Sequence, residues 1–433
     1  MRTPLALLVA ASVLVVAPPA TPASARTPVV QDCANIPAQP DGTDYGTDQP
    51  SAPLAAMGVD AALARLRDQG IKPGAGVTVA VIDSGVSARA PIEVVDRIDA
   101  GNKVPEPSDY HGTAVAGLIA GAARSPKGGG TVGIAPAAKV LDVQVYDEAG
   151  ASTDPESPQS PMTPENLRRG LQAVIDAAPG LGIRIVNMSL AIPEDAQVEA
   201  QIAQLWSMGV VVVAPTGNRS ELPPGLTPEQ QEQLGTHRPG EDAAPFVHPA
   251  DYPHVLGVSA TPDGSSNPDP TSWVLENSQT DVAAPTAGAV SYSLQGGSCV
   301  LSEPATSYAV AEVSGVLALL QSAYDEPVAA SVRRLLTTAD GRPDIPDTLV
   351  GAGQVQAMSA LTRPMEVDQD GTDLSAGTVE HQPQVLTLPE KPDDVLASTR
   401  KDAVWWGLVG GGALLLALLL RPVLARRRRT VHR

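Results

Sequence analysis

Four stretches of this 433-residue chain carry side chains that together could cleave an acyl bond. Thr78 to Gly85 reads TVAVIDSG, a β-branched run that delivers Asp83 into a Ser-Gly turn. A carboxylate at the end of a buried strand is costly without compensation, so Asp83 either builds the turn or orients a histidine. Tyr110 to Ala120 reads YHGTAVAGLIA, which places His111 at the start of a small-residue helix with Gly112 allowing close backbone approach. Ala305 to Gly315 reads ATSYAVAEVSG and opens a helix at Ser307. A serine there is ordinarily an N-cap, yet the helix dipole also favours negative charge developing beside it. Val210 to Asn218 reads VVVVAPTGN, a buried strand ending in an Asn that either adopts a left-handed turn or donates to an oxyanion. Loss of one such donor costs about 3 to 4 kcal/mol of barrier.

Each motif has a bland alternative, but the four in one body describe a single chemistry. The Ser307 hydroxyl attacks a carbonyl, and His111 takes its proton and returns it to the leaving amine. Asp83 fixes the imidazole tautomer, and Asn218 holds the oxyanion together with the Ser307 amide. An esterase or lipase would place its serine in a Gly-x-Ser-x-Gly elbow ahead of the histidine, whereas Ser307 follows His111 without one. The remaining histidines, His237, His248, His254, His381 and His432, fall in loops, stalk or tail and are read as structural.

Positioning these groups requires strands and helices in alternation. Val77 to Ile82, Val140 to Val145, Ile183 to Met188, Val210 to Ala214 and Val255 to Val258 are short β-branched runs. Ala114 to Ala122, Glu165 to Ala177 and Ala196 to Trp206 between them read as helices, as does Met57 to Gln69 ahead of them. Strands apolar on both faces and separated by helices predict an α/β fold, a parallel sheet with helices on both faces. Functional groups in that architecture gather at the carboxyl ends of strands. Ala149 to Pro164 and Arg219 to Pro249, rich in Pro, Glu and Gln, read as surface insertions.

The chain ends carry targeting patterns. An apolar stretch from Leu5 to Ala17 finishing in Ala23-Ser24-Ala25 predicts a signal peptide over 1–25, cleaved before Arg26; an uncleaved N-terminal anchor is the alternative. Residues 26–56 read as an extended arm, 57–362 as the catalytic body and 363–402 as a Pro-rich acidic stalk. A transmembrane helix is expected over 403–425, with a basic cytoplasmic tail over 426–433. The arginines from Arg426 to Arg429 keep the C-terminus inside and the body outside, which predicts a single-pass protein of the cell membrane. A buried C-terminal helix is the alternative. Setting aside Arg2 and the six tail arginines leaves 22 basic against 48 acidic residues, about −26 for the exported part, which argues against nucleic-acid binding. The two cysteines, Cys33 and Cys299, are expected to pair outside the cytoplasm, with two free thiols as the alternative.

In these residues the chain resembles the subtilases, and most of all the mycosins, membrane-anchored proteases of type VII secretion systems. Beyond the four motifs, Gly133-Ile134-Ala135-Pro136 resembles the segment preceding the central strand, and Asp281-Val282-Ala283-Ala284-Pro285 the approach to the serine loop. Val186 to Leu190 resembles the edge that pairs with substrate backbone, which makes Ser189, Leu190 and Gly217 the expected substrate-binding residues. The resemblance covers about Met57 to Leu361. It implies a serine endopeptidase acting on protein or peptide substrate, with type VII secretion components as partners. A catalytically weak structural subunit of a secretion complex is the alternative.

Departures fall at the site. Ala305 and Ala311 replace a glycine and a proline around the serine, Pro215 and Thr216 replace small residues, and Ala191 replaces a glycine. They predict narrow specificity or low activity. No cofactor or metal site is expected. Structural calcium, which subtilases often carry, is left open, since no acidic loop resembling an EF-hand occurs.

Overall fold

The computed structural model describes residues 31–38, 40, 45–101, 106–122, 130–147, 162–261, 269–341, 346–365 and 397–427. The signal segment, most of the stalk, most of the first insertion and the last six tail residues lie outside them. The chain divides into two units, one through Gly377 and one from Thr378.

In the first unit, seven strands form a parallel sheet: β1 (Thr78–Asp83), β2 (Val94–Asp99), β3 (Lys139–Gln144), β4 (Ile183–Asn187), β5 (Val211–Pro215), β6 (Val255–Thr261) and β7 (Val282–Pro285). Their order is β2-β3-β1-β4-β5-β6-β7. From β1 the chain first winds outward to one edge and then returns to build the other, so the order reverses beside β1. The carboxyl end of β1, where Asp83 lies, is therefore at the topological switch point.

Alternation along β1 explains the two layers. Val79 and Val81 face α3 (His111–Ala120) and α7 (Thr306–Ala323), whereas Ala80 and Ile82 face α4 (Pro164–Leu181) and α5 (Ala196–Ser207). Helix α7 is buried at every residue from Thr306 through Leu320. A helix apolar around its whole circumference belongs in a core, and this one runs beneath the sheet's centre. Small residues let the layers approach: a Cβ on Gly315 would meet Ile134 at 2.9 Å.

The sequence reading identified the five inner strands and missed both edges: β2, whose Asp96, Arg97 and Asp99 interrupt the apolar run, and β7, which was read as the approach to the serine loop. The opposite edge, β7, is covered by Gly353 and Val355, which bond to Ala283. Helices α1 (Ala52–Ala56) and α2 (Val59–Asp68) precede the sheet; α8 (Val328–Thr337) and α9 (Ala357–Thr362) follow α7.

A hairpin of β8 (Ala289–Tyr292) and β9 (Ser298–Leu301) leads into α7. The N-terminal arm lies along this hairpin. Cys33 and Cys299 form a disulfide with Cα atoms 5.1 Å apart. Ser302 N donates to Asp32 Oδ2 at 3.0 Å, and Thr47 N to Ser298 Oγ at 3.1 Å.

The insertion after β5, expected as a surface loop, has a core of its own. Its helix α6 (Pro228–Gly235) starts in a Thr227/Gln230 capping box, and Leu234, Ala243 and Val247 bury against Leu275. In the second unit, α10 (Ala397–Arg427) includes Lys401–Arg421 with mean hydropathy 2.1 and every residue exposed. At 1.5 Å per residue such a span reaches about 30 Å, the thickness of a bilayer core.

Candidate active site

Asp83 ends β1 fully buried, and three donors compensate its charge. Ser84 N donates to Oδ1 at 2.7 Å and the Tyr146 hydroxyl at 3.1 Å. His111 Nδ1 lies 2.8 Å from Oδ1 and 3.0 Å from Oδ2. A carboxylate only accepts, so Nδ1 carries a proton, and once the ring is neutral Nε2 has the free lone pair.

The His-Gly-Thr turn makes this contact by close backbone approach. A Cβ on Gly112 would meet Gly85 O at 2.7 Å and Gly85 N at 2.9 Å. In its absence Gly112 N reaches Ser84 Oγ at 2.9 Å, and Ser87 N reaches Thr113 Oγ1 at 2.9 Å. Asp109 Oδ1 accepts from His111 N at 2.8 Å, fixing the start of α3. Burial alone would lower the basicity of His111. The charge of Asp83, its hydrogen bond and the charges of Asp109 and Glu221 outweigh it and raise the imidazole to about 9.

Ser307 is the second residue of α7 and is 8% exposed. Its neighbour Tyr308 brings its ring centroid to 5.6 Å from that of His111. The Ser307 hydroxyl makes no hydrogen bond to His111 in this structure. Such contacts are commonly loose in unliganded enzymes and tighten around substrate. Ala305, which replaces a glycine and needs a backbone compatible with a Cβ, has φ −147° and ψ 140°, an extended conformation open to any residue. Helix α7 continues unbroken across Ala311.

Asn218 follows β5, and its Oδ1 accepts from Thr306 N and Thr306 Oγ1, both at 2.9 Å. A backbone N–H can only donate, so this fixes the carboxamide orientation and leaves Nδ2 free of protein partners among the described residues. The Ser307 amide, in the first turn of α7, is likewise free. Asn218 is thus bonded to the residue that precedes Ser307 at the start of α7, and Asn218 and Ser307 each keep an unused donor.

The expected substrate-binding residues take different places. The Ser189 hydroxyl is buried, donates to Ser307 O at 2.8 Å and accepts from Asn187 Nδ2 at 2.9 Å. Leu190 is 9% exposed in the core. Gly217 has φ +110°, and a Cβ on it would meet Leu275 at 2.8 Å. An apolar hollow open to solvent is lined by Met162, Leu167, Ile192, Pro193 and Pro224.

Sequence reasoning missed Tyr146, Thr306 and Arg219. Arg219 has 6% of its side chain exposed and satisfies its guanidinium completely. It pairs with Glu241 at 2.7 and 3.0 Å and donates to the carbonyls of Thr271, Leu234 and Val274. Its backbone N donates to Trp273 O at 2.8 Å, so the residue after Asn218 is held from both ends. Its adjacency to Asn218 was the available signal. Among the described residues, no group of three His, Cys, Asp or Glu is placed to hold a metal.

A model of the subtilase family matches residues 74–353. Mycosin-1 of Mycobacterium tuberculosis is 32% identical over 386 residues, covering 79% of this chain and 84% of that protein. The crystal structure of MycP1 from the ESX-1 type VII secretion system is similar with a TM-score of 0.56 and 26% identity, over 80% of this chain and 98% of that one. A chain of the intact ESX-5 inner membrane complex shares the fold at TM-score 0.58 and 22% identity, over 90% and 92%.

Proposed function

The chain belongs to the subtilase family of serine proteases, and from that premise we propose that it is an exported, membrane-tethered endopeptidase using Asp83, His111 and Ser307. The observation that carries this reading is the Asp83–His111 pair at 2.8 Å, together with the unused donors of Asn218 and Ser307 beside the serine. His111 Nε2 takes the proton of Ser307 during attack and delivers it to the leaving amine, while Asp83 stabilises the imidazolium. Charge developing on the carbonyl oxygen is met by Asn218 Nδ2, the Ser307 amide and the α7 dipole.

A signal at 1–25 exports the body, and Lys401–Arg421 spans the membrane, with the arginines beyond it held in the cytoplasm. Likeness to proteins named for type VII secretion supports a role beside such a complex. One observation favours a second reading, a weakly catalytic structural subunit: the serine hydroxyl is not bonded to the imidazole.

Labelling of the full chain in membranes with a fluorophosphonate probe separates the two. The proteolytic reading expects labelling of the wild type and none of Ser307→Ala. An unlabelled but folded wild type leaves the structural reading.

A further inference from the structure

Tyr146 lies two residues past the end of β3 and is 4% exposed. A buried tyrosine needs a partner for its hydroxyl, and a neutral carbonyl would serve. Tyr146 instead donates to Asp83 Oδ1, the oxygen that also accepts from Ser84 N and His111 Nδ1. We propose that Tyr146 is a positioning residue of the Asp83–His111 pair, its phenol fixing the rotation of the carboxylate and drawing off part of the negative charge that His111 faces. This rests on the reading that Asp83 and His111 serve Ser307.

The surroundings show why that charge needs limiting. His111 faces Asp83 from β1, Asp109 from the turn before α3 and Glu221 from the segment after β5. Asp83 in turn feels Asp109 and Asp142, the latter paired with Arg97 of β2 at 2.8 Å. Tyr308 and Tyr110 close another side with neutral hydroxyls 3.1 Å apart. Among the side chains bonded to Asp83, the donor besides His111 is Tyr146. Burial and then the charge of Asp83 push the Tyr146 phenol well above its ordinary range, so it remains a donor at every working pH.

Removing the hydroxyl leaves Asp83 with more negative charge and makes the imidazolium harder to deprotonate. The rate of fluorophosphonate labelling against pH, measured on the full chain in membranes, reads this directly. In Tyr146→Phe the ascending midpoint should move up by about half to one pH unit, slowing labelling at pH 7 about three- to tenfold while the alkaline plateau stays within about twofold. With 3-fluorotyrosine at 146, an isosteric better donor, the midpoint should move down, which keeps the question open to test if the Phe variant folds poorly. A Tyr146→Phe profile that superimposes on the wild type, or falls uniformly without moving its midpoint, overturns the proposal. A wild type unlabelled at every pH overturns instead the reading of the site on which it rests.

Discussion

At His111, burial and negative charge pull in opposite directions, and the charge prevails. On the proposed mechanism, the free base that would activate Ser307 therefore becomes abundant only as pH rises toward about 9. Labelling by a fluorophosphonate should climb from neutral pH into the alkaline range. A rate already level at pH 6 would mean that the carboxylates are not felt by the ring. In the proposed mechanism Asn218 would make a separate contribution, since its Nδ2 would meet charge that exists only during reaction. Asn218→Ala should lower kcat about 100- to 1,000-fold, the magnitude known for a subtilisin's own oxyanion asparagine, with KM little changed. A KM effect of similar size would place Asn218 in ground-state binding, and steady-state kinetics on a peptide substrate distinguishes the two.

Between residue and fold stands the insertion after β5, tied down by Arg219. Breaking a buried ion pair by removing one partner typically costs about 3–5 kcal/mol, because the other charge is left uncompensated. Glu241→Gln should therefore lower the thermal unfolding midpoint of the full chain. The double variant Arg219→Met/Glu241→Leu should regain only part of that stability, because the carbonyls of Thr271, Leu234 and Val274 lose their guanidinium donors, and should not regain the labelling rate, because Arg219 directly follows Asn218. Recovery of both would reduce Arg219 to a purely structural tie. Elements of this kind were hardest to read from sequence. The inner strands announce themselves because both faces are buried and the apolar run is unbroken, and His111-Gly112 because a glycine beside a histidine marks close approach. β2 was hidden by its own charges, α6 by a polar composition that buries only Leu234, and Tyr146 because nothing local marks a strand-end tyrosine as facing Asp83.

Over the whole molecule, stability and activity should follow pH in opposite directions. Burial lifts the carboxyls of Asp142 and Asp281 to about 6. Protonation favours the folded state at both, and that contribution is present below about 3.8 and lost as pH rises through 6. The raised imidazole adds stability below 6.5 that is lost through about 9. Asp195 and Asp242, lowered despite burial chiefly by bonds from Arg168 and from Ser278, set the acid limit. The thermal midpoint should accordingly peak at about pH 4, where the two opposing sets of carboxyls balance, and decline toward 9 while labelling accelerates; parallel rise of both would refute this linkage. The bond from Cys33 to Cys299 adds a topological consequence. It makes the chain a lasso whose loop contains Asp83, His111 and Asn218, with Ser307 on the free end eight residues past the closure. Eight residues reach at most about 29 Å, so with the 5.1 Å between the bonded Cα atoms even a denatured oxidised chain keeps Cys33 within about 34 Å of Ser307. A single backbone nick anywhere in the loop still leaves one covalent molecule.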